Sequence, residues 1–155
     1  MARLRGHGLA LDLGPGWEGQ ISRRSPGRGE TTHPVLHAAT FALPPTRGDF
    51  GSGAVETMQP EDILVTLLEH HPDATGTPLF SASGPPFPLR PDSFSPTSLQ
   101  RMLPGQSGMQ AFFTWRGRAL CLYVVLGSHF LRARLVRRVN DVLSTLAVDP
   151  PPVTP

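Results

Sequence analysis

Polar and apolar positions are most legible over residues 110–148, which read as strand, two-residue turn, strand and amphipathic helix. Residues 110–115 (QAFFTW) are rich in aromatics and suit a half-buried pleated surface. Arg116-Gly117 follows, an X-Gly pair that can close a tight hairpin because glycine tolerates positive φ. Residues 118–126 (RALCLYVVL) carry apolar side chains on both faces, as a central strand covered on both sides would. From about 131 to 146, Leu135, Val136, Val139, Val142, Leu143 and Leu146 recur on one helical face. Arg134, Arg137, Arg138, Asp141 and Ser144 fall on the other. Asp149 and the prolines at 150–152 stop the helix, leaving a Pro-rich tail over 150–155.

Upstream, residues 9–13 (LALDL) alternate and predict a first strand. Gly14-Pro15-Gly16 turns it, and residues 17–23 (WEGQISR) are expected as its antiparallel partner. Residues 35–43 (VLHAATFAL) predict a strand bounded by prolines. Residues 60–70 open like a helix, with Pro60, Glu61 and Asp62, but Ile63, Val65 and Thr66 are β-branched and His70-His71-Pro72-Asp73 ends the run abruptly. A strand is preferred there. Residues 46–55 and 75–96 read as loops, the second tacked down by Phe80, Phe87 and Phe94. Ser95 and Pro96 suggest a short helix over 96–102. The expected architecture is one α+β domain over 1–149: a single antiparallel sheet of about five to seven strands with the C-terminal helix packed across one face.

Composition adds constraints but no chemistry. All 14 basic residues are Arg, Asn occurs only at Asn140, and there are 18 Pro and 16 Gly, the coding bias of a high-GC genome. The formal net charge is only +2, less than a dedicated nucleic-acid binder concentrates. One cysteine, Cys121, forbids an internal disulfide and reads as a small core residue. No signal peptide is visible, and the longest apolar run, 119–126, is too short to span a bilayer. A cytoplasmic protein without membrane insertion is expected.

The strand leading into Leu13-Gly14-Pro15-Gly16-Trp17, and the last strand feeding a helix that runs Val139-Asn140-Asp141-Val142-Leu143-Ser144-Thr145-Leu146, resemble the PsbP-like architecture. That architecture includes LpqN-type actinobacterial lipoproteins, with a P-G-W turn after the first strand and a similar closing helix. The chain is also similar to uncharacterised small actinobacterial proteins with the same beginning and end. The resemblance covers both ends of the chain well and the middle poorly. It implies a non-enzymatic binding or assembly factor. The lipobox cysteine and signal sequence are missing, so membrane anchoring is not implied.

Each chemical motif meets a simpler explanation. His33 and His37 stand four apart, but on a strand that is roughly 13 Å, too far for one metal ion. His70-His71 sits at a turn, where solvated imidazoles are common. Ser128-His129 with Asp141 lacks triad geometry, because adjacent Ser and His rarely reach each other. The glycine-rich stretch at 48–53 has no phosphate-loop Lys. Trp17 reads as a core plug before a partner anchor. The Arg-bearing helix face (Arg132, Arg134, Arg137, Arg138), with Arg23, Arg24 and Arg28, is the nucleic-acid candidate, yet a solvated face explains it better.

No catalytic residue, cofactor or metal is therefore assigned. The leading expectation is a non-catalytic interaction or accessory protein whose partner is another protein, working through loops 46–55 and 75–96. Arg134, Arg137, Arg138, Phe80 and Phe87 are its candidate partner surface. The alternatives are a small-ligand binder or enzyme with a pocket between the sheet and the 75–96 connection, and a nucleic-acid accessory factor using the Arg face.

Overall fold

In the computed structural model, which describes residues 2–24, 27–29 and 31–152, the chain is mostly β. Among the described residues, eight strands run in order: β1 (Ala2–Gly6), β2 (Leu9–Leu13), β3 (Glu18–Ser22), β4 (Val35–Ala39), β5 (Ile63–Glu69), β6 (Ser107–Trp115), β7 (Arg118–Leu126) and β8 (Ala147–Val148). The one α-helix among the described residues, α1, spans Arg132–Leu143. The strands form two antiparallel sheets, β1-β2-β8 and β3-β4-β5-β7-β6.

This overturns the expectation of a single sheet with a helix across one face. The error starts at the first turn. The segment after Gly14-Pro15-Gly16 does not return along β2. Instead β3 pairs with β4, from Glu18↔Ala39 to Ser22↔Val35, so the turn carries the chain from one sheet to the other. β2 is flanked by β1, through a two-residue His7-Gly8 turn with both residues at positive φ, and by the short β8 after the helix.

β7 is buried along its whole length, as its doubly apolar pattern predicts. Leu120, Leu122, Val124 and Leu126 join the main core with β2, β4, β5, β6 and α1. Tyr123 and Val125 pack on the opposite face with Ala39, Leu64, Ala54 and Val55. Loop 46–55 is thus a lid over the second face of the larger sheet. The hairpin β6–β7 closes at Arg116 (φ 50°) and Gly117 (φ 80°), the positive pair that a two-residue turn needs.

Residues 63–69 are a strand, as preferred. The predicted helix over 96–102 is absent. Ser95 Oγ accepts from the Thr97 amide at 3.1 Å, which closes a local turn that never extends. The 75–96 connection shields the β6 edge: the amides of Thr114 and Gly84 bond to the carbonyls of Ala82 and Thr114, at 2.9 and 2.8 Å. Among the described residues, no helix is long and apolar enough to cross a membrane.

Candidate binding cleft

The register of the larger sheet brings three distant stretches to one end. Ser22 pairs with Val35 and Val35 with Leu68, so the residues leaving β3, entering β4 and ending β5 meet there. A cleft of about 530 Å³ opens between them. Arg23, Arg24, Thr32, His33, Glu69, His70 and His71 line it, and Arg47 and Asp49 border it from the loop after β4.

Hydrogen bonds and ring contacts position these groups. Thr32 Oγ1 donates to the Arg24 carbonyl at 2.6 Å and accepts from Arg23 Nε at 3.3 Å. The two terminal nitrogens of Arg23 find no acceptor among the described residues. The His33 ring stands edge-on to His71, with centroids 5.8 Å apart. His71 Nδ1 accepts from the Asp73 amide at 3.1 Å, so the neutral ring carries its proton on Nε2. His70 packs on Phe80 and Phe112, and its buried Nε2 has no partner among the described residues.

Glu69, in the cleft lining, is held in an ion pair. Arg118 Nη1 donates to Glu69 Oε1 at 2.6 Å, with each side chain only 8% exposed, and Arg118 Nε donates to the Asp149 carbonyl at 2.7 Å. A second cleft of about 420 Å³ shares Arg23, His33 and Glu69 and continues to His7 and Asp149.

Burial pushes His33 below the usual imidazole range; Glu69 pulls it back up, while His71 and Arg23 push it further down. Burial also lowers His70, and His33 adds to that shift. His37 is occupied elsewhere. Its Nε2 donates to the Asp49 carbonyl at 2.7 Å, and its Nδ1 accepts from Arg47 Nε at 2.8 Å. Among the described residues, no three His, Cys, Asp or Glu side chains converge as metal ligands would.

The other candidate residues are scattered. Arg134 pairs with Glu61 at 2.8 Å, Arg138 lies 5.9 Å over the Trp17 ring, and Arg137 is exposed. Trp17 is partly buried against the main core. Phe80 is buried as an anchor of the long connection, and Phe87 is half-buried on the main core. His129 Nδ1 meets Ser107 Oγ at 2.8 Å, not Ser128; Ser107 is fully buried, and Ser128 Oγ instead accepts from the Leu131 amide at the start of α1. Arg23 and Arg24, grouped by sequence with the helix arginines, lie in the cleft instead.

No protein-family model, no curated protein and no solved structure matches this chain. Nothing in these comparisons bears on the PsbP-like resemblance, and the functional reading rests on geometry.

Proposed function

We propose that this is a non-catalytic binding or accessory protein of the cytoplasm that holds its ligand or partner in the Arg23–His33–His71 cleft. One observation carries the reading: polar side chains from three separate stretches converge on an open concavity, where Thr32 bonds to the Arg23 side chain and the Arg24 carbonyl. The chemistry favours binding over turnover. Among the described residues, no hydroxyl or thiol is hydrogen-bonded to His33, His70 or His71, as an activated nucleophile would be. A lone buried cysteine suits a reducing compartment.

The test is amide chemical-shift mapping of the whole chain against a panel of small anionic, cationic and neutral compounds. Binders should perturb residues 22–24, 31–35 and 68–71 together. A panel whose only binders perturb α1 or another surface would overturn the assignment.

A second reading, contact with a protein partner, is favoured by Phe130. This ring is 89% exposed, yet its turn is fixed by His129 N donating to Gly105 O at 2.7 Å and Arg132 N donating to His129 O at 3.2 Å. A large apolar side chain presented so rigidly suits an interface anchor. Phe130→Ser should then abolish partner capture while Arg23→Gln leaves it intact. The nucleic-acid reading draws less support, because Arg134 and Arg138 already have intramolecular partners.

A further inference from the structure

Three groups at the cleft are cationic or can become so, and they crowd one another. Arg23, His33 and His71 line the same cleft, with His33 in edge contact with His71. Mutual repulsion in such a group is relieved when an anion sits among its members. Resting on the cleft reading above, we propose that these three side chains form a site for a phosphoryl group carried by the ligand.

The donor geometry fits that chemistry. Arg23 is held through Nε, and its two terminal nitrogens remain as a planar fork, the arrangement that grips two oxygens of an anion. His71 in its neutral form has a proton to donate on Nε2. Neither ring nitrogen of His33 is in a hydrogen bond among the described residues. A guanidinium fork and two imidazoles can serve three terminal oxygens, one more than a carboxylate has.

Charges of both signs surround these three groups. Glu69 faces His33, but its charge is shared with Arg118. Asp73 stands 3.5 Å behind His71. Asp49 borders the cleft beside Arg47, which also feels Glu18, and Arg24 lies alongside Arg23. His70 also lines the cleft, and His7 and Asp149 belong to the adjoining one.

The same arrangement couples binding to protons. Burial, and then His71 and Arg23, lower the His33 pKa against the upward pull of Glu69. A bound dianion would draw a proton onto it, so affinity should rise as pH falls.

Calorimetric titration of the whole chain with inorganic phosphate, sulfate and acetate is the test. Sulfate has no titrating proton between about pH 6 and about pH 8, so its pH trend reports the protein's own groups. Phosphate and sulfate should both bind, sulfate roughly tenfold tighter at the lower pH, and acetate more weakly than either. Arg23→Gln should weaken both by roughly ten- to a hundredfold, with Arg23→Lys recovering part. His33→Gln should flatten the sulfate pH trend while leaving residual binding. Unchanged thermal unfolding of the variants would show that they fold.

The phosphoryl site is wrong if neither phosphate nor sulfate binds, if Arg23→Gln binds them as the parent does, or if acetate binds as tightly. Its failure can be told apart from failure of the cleft. A neutral compound that perturbs residues 31–35 and 68–71 while phosphate does not would sink this inference and leave the cleft standing. Binding of every panel member at some other surface would sink both.

Discussion

The tautomer of His37 is set by its two partners. Nε2 donates to a carbonyl and Nδ1 accepts from Arg47, so a second proton on the ring would break the Arg47 bond. Burial lowers this imidazole most, with Arg47 adding to it, against an opposing pull from the Asp49 contact. The folded value thus lies below the ordinary one of about 6.5. The stability linked to a neutral His37 is then present above about 6.5 and lost as pH falls through the folded value. The urea midpoint should drop between about pH 7.5 and about pH 5. His37→Gln keeps a donor and an acceptor but cannot titrate, so its drop should be shallower; His33 and His70 share the sign and preserve the remainder. An equal slope in parent and variant would discard the argument. Cys121 makes a simpler case. It is wholly buried, and burial raises its thiol pKa against a weaker opposing bond from Gln110. A polar thiol reagent should leave it untouched in the native protein and label it after denaturation. Its core role was legible from the apolar strand around it. The environment of His37 was not, because Asp49 and Arg47 reach it from a loop whose path no periodicity encodes.

Among the elements, α1 and the β6–β7 hairpin were legible because their signals are local. The helix buries the predicted Leu135, Val136, Val139, Val142 and Leu143. Val139→Ala or Leu143→Ala should each cost about 1–4 kcal/mol in denaturant unfolding, through the cavity left behind. Arg137→Ala, on the exposed face, should be nearly silent. A costly Arg137 with a silent Val139 would mean that the helix faces are assigned backwards. β1 went unread, although His7-Gly8 has the same chemistry as Arg116-Gly117 and closes the same kind of turn. Its sequence, ARLRG, is too polar to announce a strand, and it lies at a sheet edge where that polarity is tolerated. β8 is two residues long and has no readable pattern. The cleft depends on pairing as well as on elements. His33 precedes one predicted strand and His70-His71 ends another, so they become neighbours only once β4 and β5 are set antiparallel with Val35 opposite Leu68.

At the scale of the whole molecule, one arginine links the two sheets. Arg118 begins β7 in the larger sheet, pairs with Glu69 at the end of β5, and donates to the Asp149 carbonyl just after β8. Asp149 N in turn donates to the Gly8 carbonyl at 2.8 Å, so the β1–β2 turn of the smaller sheet is drawn into the same knot. No pattern along the chain announces this, since its members come from four distant places. Gly8 has φ +82° and faces the Arg118 guanidinium so closely that a Cβ would collide with it. Such a collision is normally cheap against the tip of a long side chain, which swings away. Here the tip is tied on two sides, and moving it would leave a buried carboxylate without its partner, a loss of about 3–5 kcal/mol if complete. Gly76 supplies the control: its φ is +72°, but open space surrounds its would-be Cβ. Gly76→Ala should therefore show only the backbone cost of the left-handed region, about 1–2 kcal/mol. Gly8→Ala should lose clearly more in the same unfolding experiment. In an Arg118→Met, Glu69→Leu background, where neither the guanidinium nor the buried charge exists, the excess should shrink towards the Gly76 value. Equal costs for the two alanines in the parent would show that Arg118 yields freely and that the sheets are not joined through it; an excess that survived in the double variant would place the strain in the turn itself.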